Sequence, residues 1–302
     1  MGLIKKRIRQ IDNAEVDTQV NLAKATSDKA SVLIKQLSGK DELDLKKVPD
    51  NIIVFTNASG GTGVSTIVSN VAYTMMAKGF KVLVIDLNIT CPVQHTNFGI
   101  AQEIEKIDLV TYLLGKTQMN ESIDTKHPVN MLYANNRNLT DEINCNESIA
   151  ISNFEILLSK CKQYYDVVLI DCPMRIDSML QNVAFYNCDA IYTVWDEGIS
   201  SIINTEKIRR NMALSGIDSF TKMRLILNKR TSLRFSDYPI KKLNMELVEV
   251  LPFDIDIIDN SLKGQIFCEK GASNSKNAIE WAARIEELTD KILAIGGYVG
   301  KK

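Results

Sequence analysis

The run Asn57-Ala58-Ser59-Gly60-Gly61-Thr62-Gly63-Val64-Ser65-Thr66 interleaves glycines with hydroxyl side chains, the composition of a loop that wraps an anion in backbone amides. Glycine lets the backbone approach phosphate oxygens closely, and a helix starting near Ser65 would aim the positive end of its dipole at them. A complete phosphate loop of this kind reads G-x-x-x-x-G-K-[ST], where lysine reaches the outer phosphates and the hydroxyl binds magnesium. The hydroxyl is present as Ser65, but Val64 stands where the lysine belongs. Any anion here would be held by dipoles and hydroxyls.

The flanking residues say how such a loop would be positioned. Ile52-Ile53-Val54-Phe55 is a continuous apolar run, as in a buried parallel strand, and it enters the glycines directly. Beyond them Ile67, Val68, Val71, Ala72, Met75 and Met76 recur at helical spacing until Lys78-Gly79, a stop signal. Lys81-Val82-Leu83-Val84-Ile85-Asp86 is a second buried strand, closed by a carboxylate. Strand, loop, helix and strand form a right-handed βαβ unit whose ligand crevice lies at the carboxyl ends of the strands. The run from Tyr165 to Ile170 ends the same way, at Asp171. A carboxylate closing a buried strand is costly when unpaired, so a metal ion or hydroxyl partner is expected at Asp86 and Asp171.

Further along, periodicity predicts helices over residues 108–114, 151–162, 176–186, 202–214 and 276–294, with strands over 130–133, 190–194 and 223–227. The fold class is α/β: a doubly wound, mostly parallel sheet flanked by helices, with an N-terminal helical extension.

Together these segments resemble the deviant-Walker-A ATPases typified by ParA and MinD, over about residues 50 to 295. Gly60-Gly61-Thr62-Gly63 followed by Ser65-Thr66 matches that family's loop, and Val84-Ile85-Asp86-Leu87-Asn88 its next strand, which usually ends D-x-D. Tyr165-Asp166-Val167-Val168-Leu169-Ile170-Asp171-Cys172-Pro173 looks like its Walker B strand with the D-x-P step. Leu225-Ile226-Leu227-Asn228-Lys229 is similar to the strand whose asparagine contacts adenine, and Val250-Leu251-Pro252-Phe253-Asp254 to the segment beside the base. Five segments in the correct order are far more specific than any one of them.

The resemblance implies a P-loop NTPase-like domain over residues 51–302 that binds ATP or ADP with Mg²⁺. Gly60, Gly61, Thr62, Gly63, Val64, Ser65 and Thr66 would cradle the phosphates, and Ser65, Asp86 and Asp171 would serve the metal. Asn228, Pro252, Phe253 and Asp254 would surround the base. In the family two subunits sandwich nucleotide face to face, so a homodimer is implied, with other assembly-machinery proteins as partners.

Three departures bear on activity. The family's signature lysine falls on Ser59, its Walker A lysine on Val64, and the second aspartate of D-x-D, which orients the attacking water, on Asn88. Each missing charged hydrogen bond would weaken nucleotide binding by about one to two decades. Single cationic groups contribute about 10³ to 10⁵ to phosphoryl-transfer rates, so very slow turnover or none is expected, and no residue is assigned a catalytic role.

Within the family, G-G-x-G-[AV]-S-T most resembles the TadZ and CpaE branch, which serves Tad (Flp) pilus assembly, marks a cell pole and recruits secretion machinery. The Val194-Trp195-Asp196-Glu197 stretch followed by Ser200-Ser201 is also similar to that branch. Such proteins often carry a receiver-like N-terminal domain, which about fifty residues cannot make.

Composition excludes little. With 302 residues and a net charge of −1, the chain has no overall attraction to DNA, although a local basic patch remains open. Six cysteines (Cys91, Cys145, Cys161, Cys172, Cys188 and Cys268) lack C-x-x-C spacing and read as reduced, buried thiols. His95 and His127 have no metal-ligand spacing and read as loop residues. No run of about 18 apolar residues is present, and basic residues interrupt the N-terminus where a signal peptide would need its apolar core, so a cytoplasmic protein is expected.

Residues 1–50 form a separate extension. Ile4, Ile8 and Ile11 share a helical face ringed by Lys5, Lys6, Arg7 and Arg9, suited to a membrane surface at the inner face or at a pole through residues 1–20, or to a partner protein. Val32-Leu33-Ile34 with Leu37 predicts a second helix, and Lys40 to Pro49 a linker. Three functional readings follow: an ATP-binding positioning or assembly factor with weak hydrolysis, a nucleotide-free pseudo-ATPase scaffold, and a plasmid or mobile-element partition ATPase. Neutral charge and the missing lysines speak against the third.

Overall fold

The structure is a computed structural model that describes residues 51–57, 59–100, 108–135, 140–173, 179–231, 238–270 and 273–297. The helices predicted in the N-terminal extension, the linker and the start of the helix expected from residue 176 lie outside the described residues.

Seven strands make one sheet in the order β3-β2-β4-β1-β5-β6-β7. They are β1 (Ile52–Asn57), β2 (Val82–Asp86), β3 (Asn130–Leu132), β4 (Val167–Cys172), β5 (Ala190–Trp195), β6 (Met223–Arg230) and β7 (Glu246–Pro252). Every pairing is parallel. Side chains alternate across β1 because the strand period is two: Ile52 and Val54 enter the apolar cluster on one face, Ile53 and Phe55 the cluster on the other. Both faces are therefore buried, which explains the unbroken apolar runs.

Helices cover the two faces. Helix α1 (Val64–Ala77) and helix α6 (Lys276–Ile295) share a face, where Trp281, Ile285, Leu288 and Ile292 of α6 join Ile67, Val71 and Met75 of α1. Burying each such side chain stabilises by about 1.5–3 kcal/mol. The opposite face carries α2 (Glu147–Tyr164), α3 (Met179–Asn187) and α4 (Ile199–Leu214). Strand β1 lies between β4 and β5, at the point where the strand order reverses. Ligand crevices of open α/β sheets form at the carboxyl end of that position.

Some expectations needed correction. Helix α4 begins at Ile199 rather than Ile202, and α2 at Glu147 rather than Ile151. Trp195, at the end of β5, is fully buried and donates its indole N–H to Thr205 Oγ1 at 2.7 Å. His95 is not in a loop: it is buried in the short helix Gln94–Asn97 and stacks on Tyr133 at 4.9 Å. All six thiols are free, but Cys91 and Cys145 are exposed rather than buried.

Candidate nucleotide-binding site

Strand β1 delivers the chain into the glycine loop with Gly61 at φ 78° and Gly63 at φ 88°, both left-handed. A Cβ added at Gly63 would sit 2.6 Å from Asn228 Nδ2, so glycine is required there on two counts. Above Gly60 and Gly61 the space is open, with no atom within 4 Å of an added Cβ. Helix α1 follows directly, and no side chain caps its N-terminus, as is also the case for α2, α4 and α6. The Thr62 hydroxyl is buried and has no hydrogen-bond partner among the described residues.

The two missing lysines have distinct structural replacements. Val64 is 7% exposed and packs into the apolar cluster with Phe55, Ile67 and Val68, beneath the loop. Ser59 is buried, with Oγ 3.0 Å from Ser201 Oγ, and Ser201 donates to Asp196 Oδ1 at 2.7 Å. This position is thus tied within its own subunit to the start of α4.

On one side of the loop a cleft of about 180 Å³ is lined by Gly63, Thr66, Asn228, Pro252, Phe253 and Asp254. Asn228 Nδ2 donates to the Thr62 carbonyl at 2.8 Å, and Lys229 Nζ to the Gly61 carbonyl at 2.6 Å. The Asp254 carboxylate caps helix α5 (Ile255–Leu262) through Asp256 N and accepts from Ser275 Oγ, so its charge is committed to the fold. Phe253 is 37% exposed at the rim.

On the other side lies an acidic corner. Parallel pairing of β2 with β4 sets Asp86 beside Asp171, and both are buried. Asp86 accepts from the backbone amides of Asn88, Val93 and Gln94 at 2.8–3.0 Å. Asp171 accepts from Gln94 Nε2 at 2.6 Å and from the Ser65 hydroxyl. Gln94 Nε2 also donates to the Ser65 carbonyl at 3.1 Å. Burial, with Asp171 alongside, pushes Asp86 up to about 7 despite its three amide donors. Burial likewise raises Asp171, opposed by its bonds from Ser65 and Gln94. Asn88 closes a turn by accepting from Thr90 Oγ1 and Cys91 N, both at 3.3 Å.

No group of three or more His, Cys, Asp or Glu side chains suited to a metal ion occurs among the described residues. Two carboxylates and a hydroxyl nevertheless fit Mg²⁺, which keeps several waters and usually takes one or two carboxylates plus substrate phosphates. The open, uncapped loop with its unpartnered hydroxyl fits a phosphate chain in the same way.

Of the residues expected at the site, the structure gathers Gly63, Thr66, Asn228, Pro252, Phe253 and Asp254 around one cleft and Ser65, Asp86 and Asp171 at the acidic corner, while Gly60, Gly61, Thr62 and Val64 do not line that cleft. Sequence reasoning missed Gln94, and it quoted Lys229 and Ser201 within matching segments without assigning either a role. Gln94 opens a short helix eight residues beyond its strand and follows no motif, whereas Lys229 is adjacent to Asn228 and was readable as its neighbour.

Residues 50–213 match the AAA_31 family, described as an AAA domain. The chain is 26% identical over 250 residues to the septum site-determining protein MinD of Thermotoga maritima, spanning 78% of this chain and 88% of that one. Its fold is similar to that of MinD from Pyrococcus horikoshii complexed with Mg-ADP, with a TM-score of 0.66 at 22% identity over 83% of this chain and 99% of that one. A chain of the MinC:MinD cell division complex of Aquifex aeolicus superposes with a TM-score of 0.67 at 18% identity, over 81% and 96% of the two chains. Among the described residues no helix is long and apolar enough to cross a membrane. Because the family match spans more than half of the chain, the chain belongs to the AAA_31 family, within the ParA/MinD superfamily.

Proposed function

We propose that this protein is an ATP- or ADP-binding positioning or assembly factor with very slow hydrolysis or none. The observation that carries the reading is the contrast within the loop: the space over Gly60 and Gly61 is open and two glycines hold left-handed backbone, while Ser59, Val64 and Asn88 stand where three customary catalytic charges belong. Phosphates would lie on the amides of Gly61 to Thr66, and the base in the cleft beside Asn228, Pro252 and Phe253. That cleft, at about 180 Å³, is smaller than the roughly 300–1,000 Å³ of sites enclosing a whole small ligand, which suits a base with its phosphates outside. Ser65, Asp86 and Asp171 would hold Mg²⁺, which when bound neutralises phosphate charge.

The finer assignment is a role in Tad (Flp) pilus or related secretion machinery, supported by the G-G-T-G-V-S-T loop. A homodimer fits the superfamily, and with Ser59 bonded inside its own subunit, dimerisation would be independent of nucleotide. Residues 1–50, as a separate extension, would supply contact with the inner membrane surface, a pole or a partner.

Isothermal titration with Mg·ATP and Mg·ADP, alongside phosphate release, tests the central reading. Binding without turnover is the expected result. No heat and no thermal shift at millimolar nucleotide would favour a scaffold with an empty crevice, a reading to which the core-packed Val64 lends weight. Phosphate release stimulated by DNA would instead indicate a partition ATPase.

A further inference from the structure

Strand β6 ends on two residues whose side chains take hold of two successive loop carbonyls. Lys229 holds that of Gly61 and Asn228 that of Thr62. In a trans peptide the C=O and N–H of one unit point in opposite directions, and the described chain contains no cis bond. Drawing the two carboxyl-side oxygens toward β6 therefore turns the amides of Thr62 and Gly63 to the opposite side, where an anion would meet them.

The strand is irregular at this point. Leu227 pairs with Val250 and Arg230 with Pro252, so the register between β6 and β7 slips across Asn228 and Lys229. Lys229 has φ 56°, a left-handed conformation rare for a residue with a side chain, and it sits in this bulge. Bulges re-aim side chains, and here the lysine stem crosses the loop, with Cε 3.8 Å from where a Gly63 Cβ would be.

We infer that Lys229 is a positioning residue for phosphate binding: from β6 it locks the loop amides outward and brings to the loop a positive charge that Val64 does not provide. This rests on the nucleotide reading of the same cleft. Its uncharged stem, which lines the cleft with Asn228 and Phe253, contributes to the base side separately.

The two contributions separate in titrations of Mg·ATP, Mg·ADP and adenosine against the full chain and its Lys229→Met and Lys229→Arg variants. Methionine keeps a stem and removes the ammonium. Lys229→Met is expected to weaken both nucleotides by about ten- to a hundredfold, as for loss of one charged hydrogen bond, while changing adenosine by less than about threefold. Lys229→Arg should recover most of the nucleotide affinity. Unchanged nucleotide affinity in Lys229→Met, or an equal loss for adenosine, would overturn the inference. If the unaltered chain binds neither nucleotide, the functional reading fails first, and backbone amide order parameters judge the lock on its own. Lower order parameters at Thr62 and Gly63 in Lys229→Met would uphold it, and unchanged ones would sink it.

Discussion

At the loop, the space over Gly60 and Gly61 is open, and the nearby lysine comes from strand β6. At the acidic corner, two carboxylates lie side by side in the sheet, and burial drives Asp86 up to about 7. In the proposed reading, an anion on the loop would be held by fixed geometry, with dipoles that no pH change removes. A cation at the corner would be held by charge and would compete with protons near neutrality. A site built this way would place its pH sensitivity at the corner.

The largest effect should come from breaking the loop's geometry. Gly63→Val introduces a side chain at φ 88° and a collision with Asn228 Nδ2, so stability should fall by about 2–4 kcal/mol in urea denaturation and nucleotide binding should vanish. A variant that binds normally would show that loop shape is not what holds the ligand.

Next, Val64→Lys sets charge against shape. Removing a valine from the apolar cluster should lower stability by about 1–3 kcal/mol, while calorimetry should show Mg·ATP binding tightened by about tenfold. Weaker binding would mean that the loop does not face phosphate.

The corner should answer to pH. Asp86 is raised from 3.8 to about 7, so across that range the folded chain binds more protons there than the unfolded one, and Asp171 is shifted in the same direction. The Asp86 contribution to stability is complete below that window and is lost as pH rises through about 7. The ligand-free melting temperature should therefore fall from pH 5 to 8, and saturating Mg·ATP should remove the fall. Gln94→Ala deletes a donor that lowers Asp171, so it should move the fall to higher pH. A flat profile in the unaltered chain would place the carboxylates in a more polar setting than their burial indicates.

The smallest effect belongs outside both regions. Cys91 is exposed, and Cys91→Ser should leave stability within about 0.5 kcal/mol and nucleotide affinity unchanged. A larger change in thermal melting would bring the turn closed by Asn88 into the metal corner.

Much of the fold was legible because its signals are local. The apolar runs at residues 52–55, 82–85 and 167–170 mark strands buried on both faces, and the stop at Lys78-Gly79 ends α1 within a residue of its observed bound. The loop was readable from glycine and hydroxyl spacing alone. Strand β7 was read only as a short segment from Val250, because Glu246 and Leu247 at its start are exposed and break the apolar pattern.

By itself the sequence determined a parallel α/β sheet, a glycine loop without its lysine and two strands ending in aspartate, since each depends on neighbours in the chain. Tertiary structure alone decided that Asp86 lies beside Asp171, that Gln94 bridges to Asp171 across 77 residues, and that Lys229 reaches Gly61 across 168. It also turned Trp195 inward and paired Ser59 with Ser201 across 142 residues. Periodicity reports which face of an element is apolar, but strand order and register bring distant side chains together, and those are settled only when the whole sheet is packed.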